Sequence, residues 1–261
     1  MQLKDLGGVG YATEPGEVVN YVENHDNLTL YDVNALKLPA GTSAEDRARV
    51  QILGAATVAF SQGIAYYHAG VDLLRSKSLD RNSYDSGDWF NRLDWTLGDN
   101  NFGRGLPPQG DNGADWALLA PRLADDTLRM GFDAMSWTNG AFRDLLRIRA
   151  STSLLRLRTA ADIRARLRFF NLGSNQVPTV LVGHVDGNGY AGATYRELVY
   201  FVNVGTDAQT LVLDALKAKA FELHPVHASG TDRRPATMAA YEAGTGAFTV
   251  PARTAVGFVV R

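Results

Sequence analysis

Two short apolar runs, EVVNYVEN (residues 17–24) and IAYYHAG (64–70), stand on either side of a segment with helical spacing, and that order limits the fold more than any other feature. From Ala44 the segment AEDRARVQILGAATVAFSQG sets Val50, Leu53, Thr57 and Phe60 at helical steps, with Ile52, Ala56 and Ala59 widening the same apolar face. Ser43 and Asp46 have the spacing of an N-cap pair, and Gly63 can end the helix. The flanking runs carry β-branched and aromatic residues and read as buried strands. Strand, helix, strand is the unit of an α/β fold, and its two strands are expected to pair in parallel.

The rest of the chain changes character twice. Residues 71–137 read as long irregular stretches, and loops of that length in compact domains are usually functional when ordered. A second helix is expected over Thr138–Leu157, where Phe142, Leu145, Ile148 or Arg149, and Leu155 follow the helical period. After TAAD come the runs IRARLRFFNL, TVLVGHVDG, ELVYFVNVG, QTLVLDAL, AFELHPV and GAFTVPARTAVGFVV, most of them parted by Gly, Asn or Asp. These predict an antiparallel β-sandwich. The expected class is therefore α/β plus all-β, with domains at 1–161 and 162–261.

Composition narrows the function. The chain has 261 residues, 45% hydrophobic and 21% charged, which is globular composition with length enough for a substantial core. Lys and Arg total 26 against 28 Asp and Glu, so no general basic surface offers itself to nucleic acid. Cysteine is absent, which excludes disulfides and thiolate metal sites. No apolar run reaches the roughly 18 residues of a membrane helix. The start, MQLKDLGG, has neither the basic flank nor the apolar core of a signal peptide, and the compartment stays open between cytoplasmic and secreted.

Asn24, His25, Asp26 and Asn27 follow the first strand directly. An ordinary turn accounts for them, because Asn and Asp favour left-handed backbone and local side-chain caps. A second reading makes them one edge of an active site, since chemistry in a (β/α)8 barrel gathers at the C-terminal ends of strands, where His68 also lies. Neighbours in extended chain face opposite ways, so His25 and Asp26 are expected to meet a ligand separately and not to support each other. A carboxylate stabilises positive charge developing on a sugar, and a neutral imidazole binds hydroxyls.

In the middle stretch, Asp80, Arg81, Asp85, Asp88, Asn91 and Arg92 mix with Trp89 and Trp95, a set that suits a polar ligand or a surface excursion held by its aromatics. Asp85 and Asp88 do not amount to the oxygen-rich shell that calcium needs. His184, His224 and His227 lack metal-ligand spacing and read as packing or surface residues. Met130 and Met135 read as core filling. GGVG, at residues 7–10, lacks the full phosphate-binding pattern and reads as loop.

VNYVENHDNLTLYD, GIAYYHAGVDLLRSKSLDRNSYDSGDWFNRLDW, NNFGRGLPP, FELHPV and FTVPARTAVGFVV together carry a resemblance over nearly the whole chain. The chain resembles the C-terminal part of pullulanase-type debranching enzymes of the α-amylase superfamily (glycoside hydrolase family 13). The resemblance implies the end of a (β/α)8 barrel, about strands 7 and 8 with their helices, followed by a small antiparallel β-sandwich. It also implies retaining hydrolysis of α-1,6 linkages in pullulan or branched α-glucans. On the matching motifs Asp26 would stabilise the transition state, while His25, Asn27, Asp80, Arg81 and Asn82 would contact substrate. His68 would support the site from behind. No cofactor is implied, and calcium in a complete enzyme has no support in these residues.

A retaining glycosidase needs a nucleophilic carboxylate and a second carboxyl group about 5–5.5 Å away. In the family both lie ahead of the His-Asp motif, in signatures that nothing in residues 1–20 matches. The expectation is thus a chain inactive by itself, with an N-terminal barrel portion as its partner. Two alternatives stand beside it: a noncatalytic α-glucan-binding protein, and a structural subunit that completes a split barrel.

Overall fold

The structure, a computed structural model, describes residues 12–261, so the readings of MQLKDLGG and GGVG lie outside the described residues. The chain divides into two compact units, one comprising 12–20, 56–66 and 143–261 and the other 21–55 and 67–142. The described residues combine mixed α/β structure with antiparallel sheets. No helix among them is long and apolar enough to cross a membrane.

In the first unit, β1 (Val19–Asn20) and β2 (Ile64–Ala65) pair in parallel with Val19 opposite Ile64, as the strand–helix–strand order predicts. Both strands are far shorter than the apolar runs suggest. A ladder extends only where a neighbour accepts it, and among the described residues each strand has one partner. Between the strands in sequence lie α1 (Leu30–Lys37) and α2 (Ala44–Ala59). Ser43 Oγ accepts the Asp46 N–H at 3.1 Å, so the expected cap is present. The helix stops at Ala59, short of Gly63, which turns the chain at φ +90°; a Cβ there would lie 2.9 Å from the Val18 carbonyl oxygen. Arg149 then fastens this corner. Its guanidinium donates to the carbonyls of Ala59, Ser61 and Gly63 at 2.7, 2.7 and 2.8 Å, satisfying oxygens that a helix end leaves unpaired.

The same unit holds two antiparallel sheets. β3 (Leu167–Phe170), β4 (Val180–Asp186), β5 (Glu197–Asn203), β10 (Thr254–Val260) and β7 (Glu222–Leu223) form the first in that order; β6 (Gln209–Val212), β9 (Ala247–Val250) and β8 (Ala240–Glu242) form the second. Val182, Val199, Phe201, Val256 and Phe258 of one sheet share a core with Leu211, Phe248 and Val250 of the other. Gly183 is required by packing, because a Cβ would sit 2.2 Å from the Tyr200 ring. Part of IRARLRFFNL is not strand: α7 (Ala160–Arg166) takes IRAR, because Thr159 caps it by accepting from Asp162 N at 3.0 Å. β8 and the short helices α8 (Pro225–Ser229) and α9 (Arg234–Met238) were not expected from the strand pattern.

The second unit is built around Tyr31, Leu73, Leu74, Leu79, Phe102, Leu119, Leu128, Met130 and Met135, so both methionines do fill a core. The stretch expected to be irregular contains α3 (Asp88–Asn91), α4 (Gln109–Asn112) and α5 (Trp116–Leu123), whose internal Pro121 hides its helical pattern. The second long helix, α6 (Phe132–Ser151), begins six residues before the expected Thr138. It ends before Leu157, because Thr152 leaves the helical conformation and its hydroxyl caps the next turn by accepting from Leu154 N.

The three histidines of the sheet region are packing residues with defined partners. His184 Nε2 lies 2.7 Å from Glu197, which also takes Lys219 Nζ at 2.6 Å. His224 Nδ1 accepts Val226 N–H at 3.3 Å at the start of α8, and His227 Nε2 accepts Gly257 N–H at 3.1 Å. Burial depresses all three; His224 falls to about 4 and His227 to about 3.

Candidate active site

The site residues named from the sequence fall on two segments of the second unit, 23–32 and 76–82, apart from His68, with support from residues 99–115. In the first, the backbone bends sharply. Asn24 Oδ1 accepts Asp26 N–H at 2.8 Å and Asn27 adopts φ +59°, which Asn tolerates better than most residues. This bend overturns the expectation that His25 and Asp26 face apart: Asp26 Oδ1 lies 3.6 Å from His25 Nε2. Their side chains are 80% and 68% exposed, so the pair itself contributes little stability. The turn, not the ion pair, sets their direction.

Glu23 closes that turn from within. One oxygen of its buried carboxylate accepts the Leu30 N–H, and the other lies 3.3 Å from His68 Nδ1. His68 thus touches the base of the turn, while His25 and Asp26 stand at its crest.

Asp32 joins the two segments. Fully buried, it accepts from Ser76 Oγ at 2.5 Å and from Lys77 N at 2.8 Å. Burial pushes its carboxyl up to about 6, against the pull of those hydrogen bonds. Lys77, nearly inaccessible itself, donates from Nζ to the His25 carbonyl at 3.2 Å, and burial lowers its pKa. The His25–Asp26 turn and the segment leading to Asp80 are therefore held together by one buried acid and one buried amine.

Asp80 is inaccessible, and its carboxylate accepts from Asn82 N at 3.0 Å, Asn112 Nδ2 at 3.1 Å and Ser86 Oγ at 2.5 Å. It shapes the loop from inside. Arg81 and Asn82 are exposed on that loop, with Arg81 3.7 Å from Asp115 and Asn82 Nδ2 donating to Asp111 at 2.8 Å. Trp89 and Trp95 are both exposed, 64% and 65%. Among the described residues no three His, Asp or Glu side chains gather as metal ligands, and Asp85 and Asp88 do not form the nucleus of such a group.

Residues 97–261 match the family described as alpha-1,6-glucosidases, pullulanase-type, C-terminal. The chain belongs to this family. It is 42% identical over 265 residues to chloroplastic pullulanase 1 of Arabidopsis thaliana, an alignment that covers 98% of this chain and 27% of that protein. Among solved structures, PulA of Klebsiella oxytoca superposes with a TM-score of 0.88 at 32% identity, covering 96% of this chain and 24% of that one. The maltotriose complex of PulA from Klebsiella pneumoniae superposes at 0.89 and 33%, covering 96% and 27%. The chain thus spans about a quarter of the length of these pullulanases.

Four residues of this candidate site escaped the sequence reading: Glu23, Asp32, Lys77 and Asn112. Asp32 had a signal, because Thr29 and Asp32 have cap spacing and Thr29 Oγ1 does accept Asp32 N–H at 3.1 Å at the start of α1. Glu23 lies two residues before His25, but its partners Leu30 and His68 are set by the fold. Lys77 and Asn112 act through contacts 52 and 32 residues away in sequence, which no local pattern encodes.

Proposed function

We propose that this chain supplies the transition-state-stabilising edge and substrate contacts of a retaining glycoside hydrolase that cleaves α-1,6-glucosidic linkages in pullulan or branched α-glucans. In this reading residues 1–161 are the end of a (β/α)8 barrel, about strands 7 and 8, and residues 162–261 are an antiparallel β-sandwich. Asp26 faces the positive charge that develops at the sugar ring. His25, Asn27, Arg81 and Asn82 contact sugar hydroxyls, and Asp80 serves the substrate by fixing the loop that presents Arg81 and Asn82. His68 acts through Glu23 on the turn. The nucleophile and the acid/base are assigned to a preceding barrel portion, so the chain by itself is expected to be inactive.

The observation that carries this reading is the exposed Asp26 carboxylate on a turn that is pinned from inside by Asn24, Glu23 and Lys77. A charge held in place before reaction needs little reorganisation when the transition state forms. The maltotriose complex of the Klebsiella pneumoniae relative supports an α-glucan as the ligand class.

The test measures reducing ends released from pullulan by the chain alone and by the chain mixed with an upstream barrel segment of a pullulanase. Turnover is expected only in the mixture, and Asp26→Asn is expected to lower it by about 100-fold or more while the unfolding midpoint stays put. Full turnover by the chain alone, or retained turnover in a folded Asp26→Asn assembly, would overturn the assignment.

A further inference from the structure

A cleft of about 270 Å³ opens in the second unit, lined by Asp88, Trp89, Asn91, Arg92, Asn101 and Arg104. Its aromatic wall is exposed but fixed. Trp89 Nε1 donates to the Arg104 carbonyl at 3.0 Å, and Asn101 Nδ2 donates to the Trp89 carbonyl at 3.2 Å. The indole's one polar group is thereby used at its edge, leaving the ring faces for contact.

The polar groups around the cleft divide into two sets. Asn91 Nδ2 is committed to the carbonyls of Ser83 and Gly87 at 2.6 and 3.0 Å, and the Arg104 guanidinium is paired with Asp99. Asp88 and Arg92, by contrast, make no side-chain hydrogen bond or ion pair with another described residue. Arg92 keeps its donors unbonded while sitting in the field of Asp94, and together with the Asp88 acceptor these opposite charges disfavour an anion and suit a neutral ligand rimmed with hydroxyls. A flat ring beside them suits a ligand with an apolar C–H face as well, and a sugar ring has both. The volume lies just under the lower end of about 300–1,000 Å³ for small-ligand sites, which favours a short oligosaccharide end.

The cleft is also built on the candidate site's own framework. Ser78 Oγ accepts the Arg104 N–H at 3.0 Å, and Lys77, its neighbour in sequence, holds the His25 carbonyl at 3.2 Å. The Trp89 wall and the His25–Asp26 turn hang on consecutive residues.

We propose that this cleft is a further sugar subsite, in which Trp89 stacks on a glucosyl ring of an α-glucan while Asp88 accepts from its hydroxyls and Arg92 donates to them. The proposal rests on the α-glucan reading for its ligand class, and calorimetric titration of the full chain with maltotriose tests it separately from catalysis. Saturable binding is expected, weakened about tenfold or more by Trp89→Ala and less by Trp89→Phe. Asp88→Ala and Arg92→Ala, both at exposed positions, are expected to weaken it several-fold with thermal unfolding unchanged, whereas Tyr84→Ala, an exposed aromatic outside the cleft, leaves it as it is. Absence of saturable binding, or equal affinity of Trp89→Ala and the unsubstituted chain, would overturn the subsite. Trp89-dependent binding without pullulan hydrolysis in the assembly keeps the subsite and removes the catalytic reading; hydrolysis with Trp89-independent binding does the reverse.

Discussion

The two-sheet region and the loops around Asp32 and Asp80 are both well buried, yet opposite chemistry holds them. In the sheets, every residue of β5 and β10 is buried, and Phe201, Phe221, Tyr241 and Phe258 all place their rings against Phe248. In the loops, buried carboxylates do the organising by collecting N–H and O–H donors, most from residues distant in sequence and one, Asn82 N–H, from two residues on. Apolar burial is non-directional and tolerates exchange of like for like, whereas a buried carboxylate is tolerated only with its full set of donors. The lesson is that a surface meant to present specific polar groups is fixed from below by polar groups, and a scaffold is fixed by area.

The largest difference should appear on acidification. His224 and His227 each accept a backbone N–H, which requires neutral imidazole nitrogens. Their folded values of about 4 and about 3 lie below the roughly 6.5 of an unfolded histidine, so the unfolded chain takes up these protons first. The stability they contribute is complete above about pH 6.5 and is lost as pH falls through about 4 for His224 and about 3 for His227. Asp32 has the opposite sign: at about 6 it lies above the roughly 3.9 of an unfolded carboxylate, so its contribution is present below about pH 3.9 and fades as pH rises through 6. Urea unfolding from pH 4 to 7.5 should show the acid loss flattened in His227→Gln, which keeps an acceptor for Gly257, and the neutral-side loss flattened in Asp32→Asn. Unchanged profiles in both variants would break the contrast.

Next in size is Phe248→Ala, which empties the centre of the shared sheet core and should cost about 3–5 kcal/mol in urea unfolding at pH 7. Asp80→Ala should cost less, about 2–3 kcal/mol, and act locally: Asn82 N–H loses its acceptor and the Asn112 amide one of its two, so hydrogen exchange at Asn82 should rise while Gly257 stays protected. A loss for Asp80→Ala as large as that for Phe248→Ala would show that the polar network stabilises as strongly as the apolar core.

The same division explains what was legible in advance. Alternating or continuous apolar runs announced β4, β5, β9 and β10, and the Ser43 cap announced α2, because these signals are local. The helix α1 is one stripe wide, burying Tyr31 and Ala35, too little to stand out in the sequence. The start of α6 was missed although Met135 already packs in its first turn. His25 and Asp26 stood out as a polar pair, but their approach to each other depended on a bend that extended-chain geometry does not foresee. Glu23 and Lys77 carry the turn through contacts that exist only once the chain is folded.

Arg149 bears on which substitutions this corner of the chain can accumulate. Its guanidinium reads backbone oxygens at positions 59, 61 and 63, so that recognition does not itself depend on the side chains of Ala59 and Ser61, which are limited instead by full burial and by a hydroxyl bond to Thr57, respectively. Gly63 is limited for its own steric reason. Position 149 is constrained most of all: lysine would bring one compact ammonium where a planar fork spans three carbonyls, so even the usual conservative exchange would leave buried oxygens without donors. A single codon thus guards a path that it recognises by its backbone and not by its own lettering.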